Sequence, residues 1–518
     1  MTRTENATRN IFFGFLYKLE ATIVPFITRT ILIYFIGEQY VGLGSLFTSI
    51  LSFFSLAELG IGNALVFSMY KPIAEKDNET LGALLNFYRK IYRIIGLVII
   101  GVGLLLIPLL PLIIKDYSSF EASTNVNILV LYLVYLLNSS MSYLLFGYKQ
   151  SLLMAHQRND IISKRSAIIQ LIMNVIQITV ICIFRNYYIY IIFLPLATIA
   201  TNITNHIITN RMYPDVKCEG NISKEQSDSI TKKTIALFGT KANSIVLHAS
   251  DNIVISMFLG VTMVGIFGNY YYIMNAIVGV MTIIYSSLTA GLGNSLLNHD
   301  KEKIYNDFNI LTFLNNWLIT ICSCCFICLY QPFVYIWVGE ELMLTNEFVI
   351  LLVIYFYIYQ SRRIVLTYKD AGGIWWEDRF RPYIVCAINL ILNVVLVQFI
   401  GIYGIVISTI VSMIVSIPIE NSTIFKNIFD KSALEYYGSQ VVNLIVVILS
   451  CIATFAATFW LPQGIVFIFV RLIICLLVSN LILFIMFSKN KYFIQSIELV
   501  KTRILKIDSE NKKIKEDA

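Results

Sequence analysis

Charge is what this sequence has least of. Asp, Glu, Lys and Arg together make up 14% of its 518 residues, where a soluble domain carries roughly 25%. A water-facing fold of this size could not cover itself, so a soluble class is excluded. Period-2 alternation of apolar and polar residues is missing too, which excludes a membrane-spanning β-barrel. The chain has no GKS/T phosphate loop, no H-E-x-x-H and no G-x-S-x-G. The connections assigned below to the outer side run to about ten residues at most, too short for a domain of their own. A catalytic domain outside the membrane is therefore excluded, and no catalytic residue is assigned.

What is present is apolar sequence: 57% of residues are hydrophobic and the mean hydropathy is +0.73. Runs of about 20 apolar residues recur along the chain, each long enough to span a bilayer as a helix. The prediction is an all-α integral membrane protein with about fourteen spans: 10–36, 40–70, 89–114, 125–147, 161–184, 187–210, 234–259, 262–292, 308–338, 346–366, 382–400, 403–425, 436–460 and 463–488. The first run is too long for the apolar region of a signal peptide and is expected to stay as a span.

The formal charge of +7 does not point to nucleic acid, because topology distributes the cations. With the N-terminus in the cytoplasm and the spans alternating, 33 of 39 Lys and Arg fall on cytoplasmic segments or adjoining helix ends. Lys115 and Arg185 fall on the outer side; Lys18, Arg29, Lys241 and Arg471 lie within spans. The positive-inside rule then places both termini in the cytoplasm.

Nine cysteines include Cys322, Cys324, Cys325 and Cys328, which form two C-x-x-C spacings. They lie mid-span with no His or carboxylate interleaved, so they read as packing residues, and no metal or cofactor is predicted. The triplet Asn221-Ile-Ser falls on the cytoplasmic side and carries no weight as a glycosylation site.

The chain repeats itself. At an offset of 223, Lys18 meets Lys241, Gly37 meets Gly260, Val41-Gly42 meets Val264-Gly265, Asp77 meets Asp300 and Glu79 meets Glu302. The offset drifts to 220, where Tyr148-Lys149 meets Tyr368-Lys369, and to 219, where "QLIMNV" (170–175) meets "NLILNV" (389–394). An ordered succession of this kind predicts duplication of a six-helix unit. An even helix number inserts both copies the same way up, as two pseudo-symmetric bundles about an axis along the membrane normal. The expected organisation is bundles over 1–212 and 234–430, a cytoplasmic linker over 213–233, two further helices over 431–488 and a charged tail over 489–518.

The segment "KANSIVLHASDNIVIS" (241–256) places three ionisable groups in a span. On insertion scales each costs about 2.5–3.5 kcal/mol at the membrane centre. At helical spacing Lys241, Ser244, His248, Asp251 and Asn252 share one face, as do Lys18, Thr22, Pro25 and Arg29 on the first helix. Groups gathered on one face point to a bundle interior or aqueous cavity, and cationic stripes there suggest an anionic substrate. Lys18, Arg29, Lys241, His248 and Asn252 are therefore the candidate substrate-binding residues. Asp251, Glu58 and Pro25 are candidates for ion coupling or gating; Pro25 removes a backbone hydrogen bond and lets its helix bend. Blander readings stand beside these: snorkelling for the lysines and Arg29, a structural pair of Asp251 with Lys241 or His248, and a satisfied core position for His248.

At "LAELGIGNALVFSMYKPIAEKDN" (56–78) and "AGGIWWEDRFRPYIVCAINLILNVVLV" (371–397) the sequence resembles the Wzx-type polysaccharide flippases of the multidrug/oligosaccharidyl-lipid/polysaccharide superfamily. The resemblance implies a V-shaped, alternating-access transporter in the bacterial cytoplasmic membrane. Its substrate would be an undecaprenyl-pyrophosphate-linked oligosaccharide for capsule, exopolysaccharide or O-antigen. Membrane lipids, a polysaccharide polymerase and glycosyltransferases would be its partners, and a proton or sodium ion could couple transport. By helix and face, Lys18, Arg29 and Lys241 would receive the pyrophosphate. The alternatives are a peptidoglycan lipid-precursor flippase and a multidrug or cation antiporter of the same superfamily, the latter expected to show more cavity carboxylates.

Overall fold

The computed structural model describes residues 20–55, 61–115 and 117–499. All regular structure among them is helical, with no strand. The chain forms two compact units, one built from residues up to Asn269 together with Asn393–Ile402, the other from Tyr270–Leu392 and the residues from Tyr403 onward.

The first unit begins with α1 (20–35), α2 (Glu38–Phe54), α3 (Ile61–Glu75), α4 (Asn78–Leu105) and the short α5 (Leu110–Ile113). It continues with α6 (Tyr117–Thr124), α7 (Ile128–Leu144), α8 (Gln150–Ala155), α9 (Asn159–Phe184), α10 (Tyr187–Met212) and α11 (Lys224–Leu259). The first turns of α12 (Val261–Asn298) also belong to it. The remainder of α12 starts the second unit, followed by α13 (Lys301–Val338), α14 (Asn346–Ser361), α15 (Arg363–Gly372), α16 (Arg381–Ile400), α17 (Ile402–Ile424), α18 (Leu434–Thr458), α19 (Ile465–Phe487) and α20 (Lys491–Leu499). The final turns of α16 count with the first unit.

Local sequence explains where the helices stop. Asp77, Asn127 and Asn186 cap α4, α7 and α10 by accepting from backbone N–H groups of the first turn, which satisfies donors that would otherwise be orphaned. Gly37 and Gly260, matched by the repeat, both adopt positive φ, 125° and 93°. There they break α1 from α2 and α11 from α12 within one or two residues, a conformation other residues resist. Ser223 and Gln226 form a reciprocal capping box, so α11 starts at Lys224 and the connection predicted over 213–233 is a shorter loop, 213–223.

Nine helices among the described residues are long and apolar enough to span, or up to eleven if α4 with Ile107–Ile113 and α6 with α7 each count as one bent span. The count is of the described residues alone and stands beside the expected fourteen. The predicted 40–70 span is divided between α2 and α3, of 17 and 15 residues. Of the predicted spans 10–36 and 234–259, residues 10–19 and most side chains of 235–248 lie outside the described residues, and the described apolar stretch of α11 is Ala249–Leu259.

Helices in lipid gain nothing from hydrophobic sorting and cohere through close packing and hydrogen bonds. In the first unit Tyr187 donates to the Tyr40 carbonyl at 3.0 Å and its oxygen lies 3.1 Å from that of Tyr135. In the second, Trp317 on α13 donates to Asn480 on α19 at 2.9 Å, while Phe308 packs against Tyr368, Phe425, Phe429 and Tyr436. Cys324 and Cys328 pack with Cys475, all as free thiols.

Candidate functional site

The polar groups predicted on α1 and α11 meet α2 and the start of α12 in the first unit. Gly37 turns the chain so sharply that Glu38, the first residue of α2, lies 3.7 Å from the Arg29 guanidinium on α1. Their side chains are only 3% and 15% exposed. Arg29 Nε donates to Asn269 Oδ1 at 2.6 Å and a terminal nitrogen donates to the Gly265 carbonyl at 3.0 Å. Asn269 closes the triad by donating Nδ2 to Glu38 at 3.0 Å. The Arg29 charge is thus neither snorkelling nor bare: a carboxylate, an amide and a backbone carbonyl solvate it inside the protein.

Asn252 stands 223 residues after Arg29, the offset of the repeat. Where Arg29 ties α1 to α12, Asn252 ties α11 to α2, its Nδ2 donating to Ser49 Oγ at 2.8 Å. Between the two links Gly42 packs against α12 so closely that a Cβ there would overlap the Val261 carbonyl and crowd the Gly265 backbone nitrogen. Gly42 and Gly265, paired by the same offset, therefore pack backbone to backbone. Only glycine permits this approach.

Asp251 points elsewhere. Its carboxylate accepts from Asn393 Nδ2 at 2.7 Å, on the part of α16 that belongs to this unit. At the end of α11, Lys115 Nζ donates to the Phe258 carbonyl at 2.9 Å and Ser256 Oγ donates to the Ile113 carbonyl at 2.9 Å. A cation at a helix C-terminus is favourably placed against the dipole. Pro25 lies within the continuous helix α1.

Of the predicted site residues, the structure brings Arg29 and Asn252 to one α1–α2–α11–α12 crossing and sets Asp251 against α16. Lys18 and Glu58 lie outside the described residues, as do the side chains of Lys241 and His248. Sequence reasoning missed Glu38, Asn269, Ser49 and Asn393. Glu38 carries a usable signal, a carboxylate next to a repeat-matched glycine, in the connection between the first two predicted spans.

The second unit holds a separate ionic network. Glu420, fully buried on α17, accepts from Arg362 at 2.5 Å and pairs with Arg381 at 3.4 Å. Asp378 accepts two bonds from Arg381, both 2.6 Å, and one from Lys369 at 2.5 Å. Burial pushes the Asp378 carboxyl up, but the bonds and charge of Arg381, and then of Lys369, outweigh it and hold the group below the usual Asp value. In the sequence Arg362 and Arg381 count only among the cytoplasmic-side cations, and nothing singles out Glu420 or Asp378.

The fold resembles two groups of solved structures. One is the lipid II flippase MurJ in an inward closed conformation, 13% identical, with a TM-score of 0.61 over 92% of this chain and 99% of that one. The other is an inward-facing multidrug resistance MATE family transporter of the MOP superfamily, 15% identical, with a TM-score of 0.55 over 78% of this chain and 94% of that one. Identities this low speak for the fold. No curated protein sequence is similar enough to identify a relative. A family model described as "Polysaccharide biosynthesis protein" matches residues 7–290, more than half of the chain. This multi-pass, all-helical membrane protein, with the fold of the multidrug/oligosaccharidyl-lipid/polysaccharide superfamily, belongs to the polysaccharide biosynthesis protein family.

Proposed function

We propose that the protein is a flippase that carries an undecaprenyl-pyrophosphate-linked oligosaccharide from the inner to the outer leaflet of the bacterial cytoplasmic membrane, with both termini inside. The family match and the distribution of Lys and Arg support this reading. The observation that carries it is Arg29, an ionised group within the spans held by exchangeable partners.

A pyrophosphate offers Arg29 the counter-charge that Glu38 supplies now at 3.7 Å, and adds oxygen acceptors for charge-assisted hydrogen bonds, roughly twice as strong as neutral ones. Exchanging one anion for the other costs little net free energy, which suits a carrier that must bind and then release. Once Arg29 turns to the substrate, Glu38 is left without its counter-charge in a dry setting. Taking up a proton or a sodium ion relieves that, and so links substrate binding to an ion. Asp251, solvated by an amide, is the second group suited to this role. Loss of the Arg29–Asn269 and Asn252–Ser49 bonds frees α1 and α2 from α12 and α11, the rearrangement that alternating access requires. Lys18, Lys241 and His248 complete the cationic surface in this reading, and Glu58 and Pro25 serve gating. Glycosyltransferases supply the substrate and a polymerase consumes it.

The test is reconstitution in proteoliposomes with a fluorescent pyrophosphate-linked oligosaccharide, read by quenching of outer-leaflet label. Transfer that needs the protein and falls about tenfold in Arg29→Gln, a loss of about 1.4 kcal/mol, is the expected result. Efflux of a cationic dye with no movement of the lipid-linked sugar would overturn the proposal in favour of an antiporter.

A further inference from the structure

Away from that crossing, α13, α18 and the junction of α19 with α20 enclose a cavity of about 300 Å³ in the second unit. Its floor is polar and unfulfilled. Asn316 and Thr312 on α13 are 3% and 4% exposed, yet neither amide atom of Asn316 nor the Thr312 hydroxyl has a hydrogen-bond partner among the described residues. Buried polar groups are nearly always paired, so an unpaired cluster facing a cavity calls for an occupant.

The rest of the lining says what kind. Asn309 and Asn443 add amides to the wall, and Glu435 and Ser439 stand at the mouth. Among the described residues no Lys or Arg lines the cavity; neighbouring Lys431 lies over the Tyr305 ring at 4.3 Å and pairs with Glu302 at 3.3 Å. A phosphate would find no counter-charge here. An ammonium group only donates, and would leave Asn316 Nδ2 with nothing to donate to. Hydroxyl groups both donate and accept. Two adjacent hydroxyls match the donor and acceptor of one carboxamide, a third meets Thr312, and Glu435 accepts from a fourth. Phe313, Phe487 and Tyr492 supply apolar lining beside which the C–H side of a sugar ring can rest.

We propose that this cavity binds a hexose-sized polyhydroxyl group, delivered either as a free sugar or as the headgroup of a glycolipid. It is separate from the Arg29 crossing and independent of the transport reading.

The full-length protein in lipid nanodiscs tests it with two probes. Methyl glucoside in solution is followed by saturation-transfer NMR. Monoglucosyl diacylglycerol, mixed into the nanodisc lipid, is followed by native mass spectrometry. Saturable binding of either probe is expected, weakened at least tenfold in Asn316→Leu, whose thermal midpoint without ligand should equal or exceed that of wild type because an unpaired amide is gone. Glu435→Gln, an exposed change at the mouth that spares the fold, is expected to weaken binding several-fold. Methyl glucoside binding identifies a free sugar as the source; retention of the glycolipid alone identifies the lipid. Absence of saturable binding for both probes, or equal binding by wild type, Asn316→Leu and Glu435→Gln, would overturn the proposal and leave a water-filled vestibule.

Discussion

The Asp251 carboxylate accepts a 2.7 Å hydrogen bond from the Asn393 amide, and the two residues are 4% and 0% exposed. The amide hydrogen-bonds the carboxyl group without supplying a counter-charge, which leaves the group free to exchange a proton or another cation. Asp251→Asn is expected to abolish ion-coupled transport while leaving membrane abundance near wild type, because the volume is conserved. Asn393→Ala strips the carboxylate of a donor and should cost about 1–3 kcal/mol of stability, measured as a lower thermal midpoint in detergent. Transport at wild-type rate by Asp251→Asn would reduce the pair to a structural one.

Arg29 and Glu38 form a pair whose members depend on each other. Removing one partner of a buried ion pair strands the other, at about 3–5 kcal/mol. Arg29→Gln and Glu38→Gln should therefore each lower stability, and the double substitution should recover part of the loss. Transport is expected to separate the two roles: the double variant regains abundance but not activity, since the substrate also loses its cation. Quantitative blots beside the export assay distinguish these outcomes.

The contact between Ser49 and Asn252 offers a lock. Cysteines at both positions, in a background where the exposed Cys182 is replaced by Ser, should cross-link under mild oxidation and halt transport, with recovery on reduction. Gly42→Leu probes the same crossing without chemistry. Its side chain would collide with the Val261 carbonyl, forcing α2 off α12 and favouring whichever conformation separates them. Unimpaired transport by the oxidised pair, with cross-linking shown on a gel, would mean that this crossing stays closed throughout the cycle.

Asp378 makes a prediction about acid. Its native carboxyl is held below the ordinary value, about 3.9 in an unfolded chain. The resulting stabilisation is fully present above that value and is lost as pH falls through the native one. The 373–380 loop should therefore hold through pH 5 and loosen only below about pH 4, followed by the fluorescence of Trp375 and Trp376. Asp378→Asn should remove that acid transition. It should also lower stability at neutral pH, because Arg381 and Lys369 lose their shared anion.

Topology is checked most simply in the 213–223 loop. A reporter active only in the cytoplasm, inserted after Pro214, should be active; activity of an outer-side reporter there would invert the assignment of both termini.

Much of this protein was legible in one dimension because lipid leaves the backbone few options. With no water to satisfy its N–H and C=O groups, a long apolar run must become a helix, so α9, α10, α13 and α16–α19 fall close to where hydropathy alone puts spans. The repeat marked Gly37 and Gly260 as equivalent breaks, since a positive φ is a property of the residue itself. One-face clustering marked Arg29, Asp251 and Asn252 as inward-facing, since helical periodicity is local. Their partners were not legible. Glu38 and Asn269 lie 9 and 240 positions from Arg29, Asn393 lies 142 from Asp251, and Glu420 lies 58 from Arg362. Apart from the repeat-matched glycine beside Glu38, nothing along the chain signals such pairings, because a buried charge needs only some acceptor within hydrogen-bond reach. Which one comes within that reach depends on how the helices pack, as at the Arg29 crossing, where Gly42 lets the α2 and α12 backbones touch.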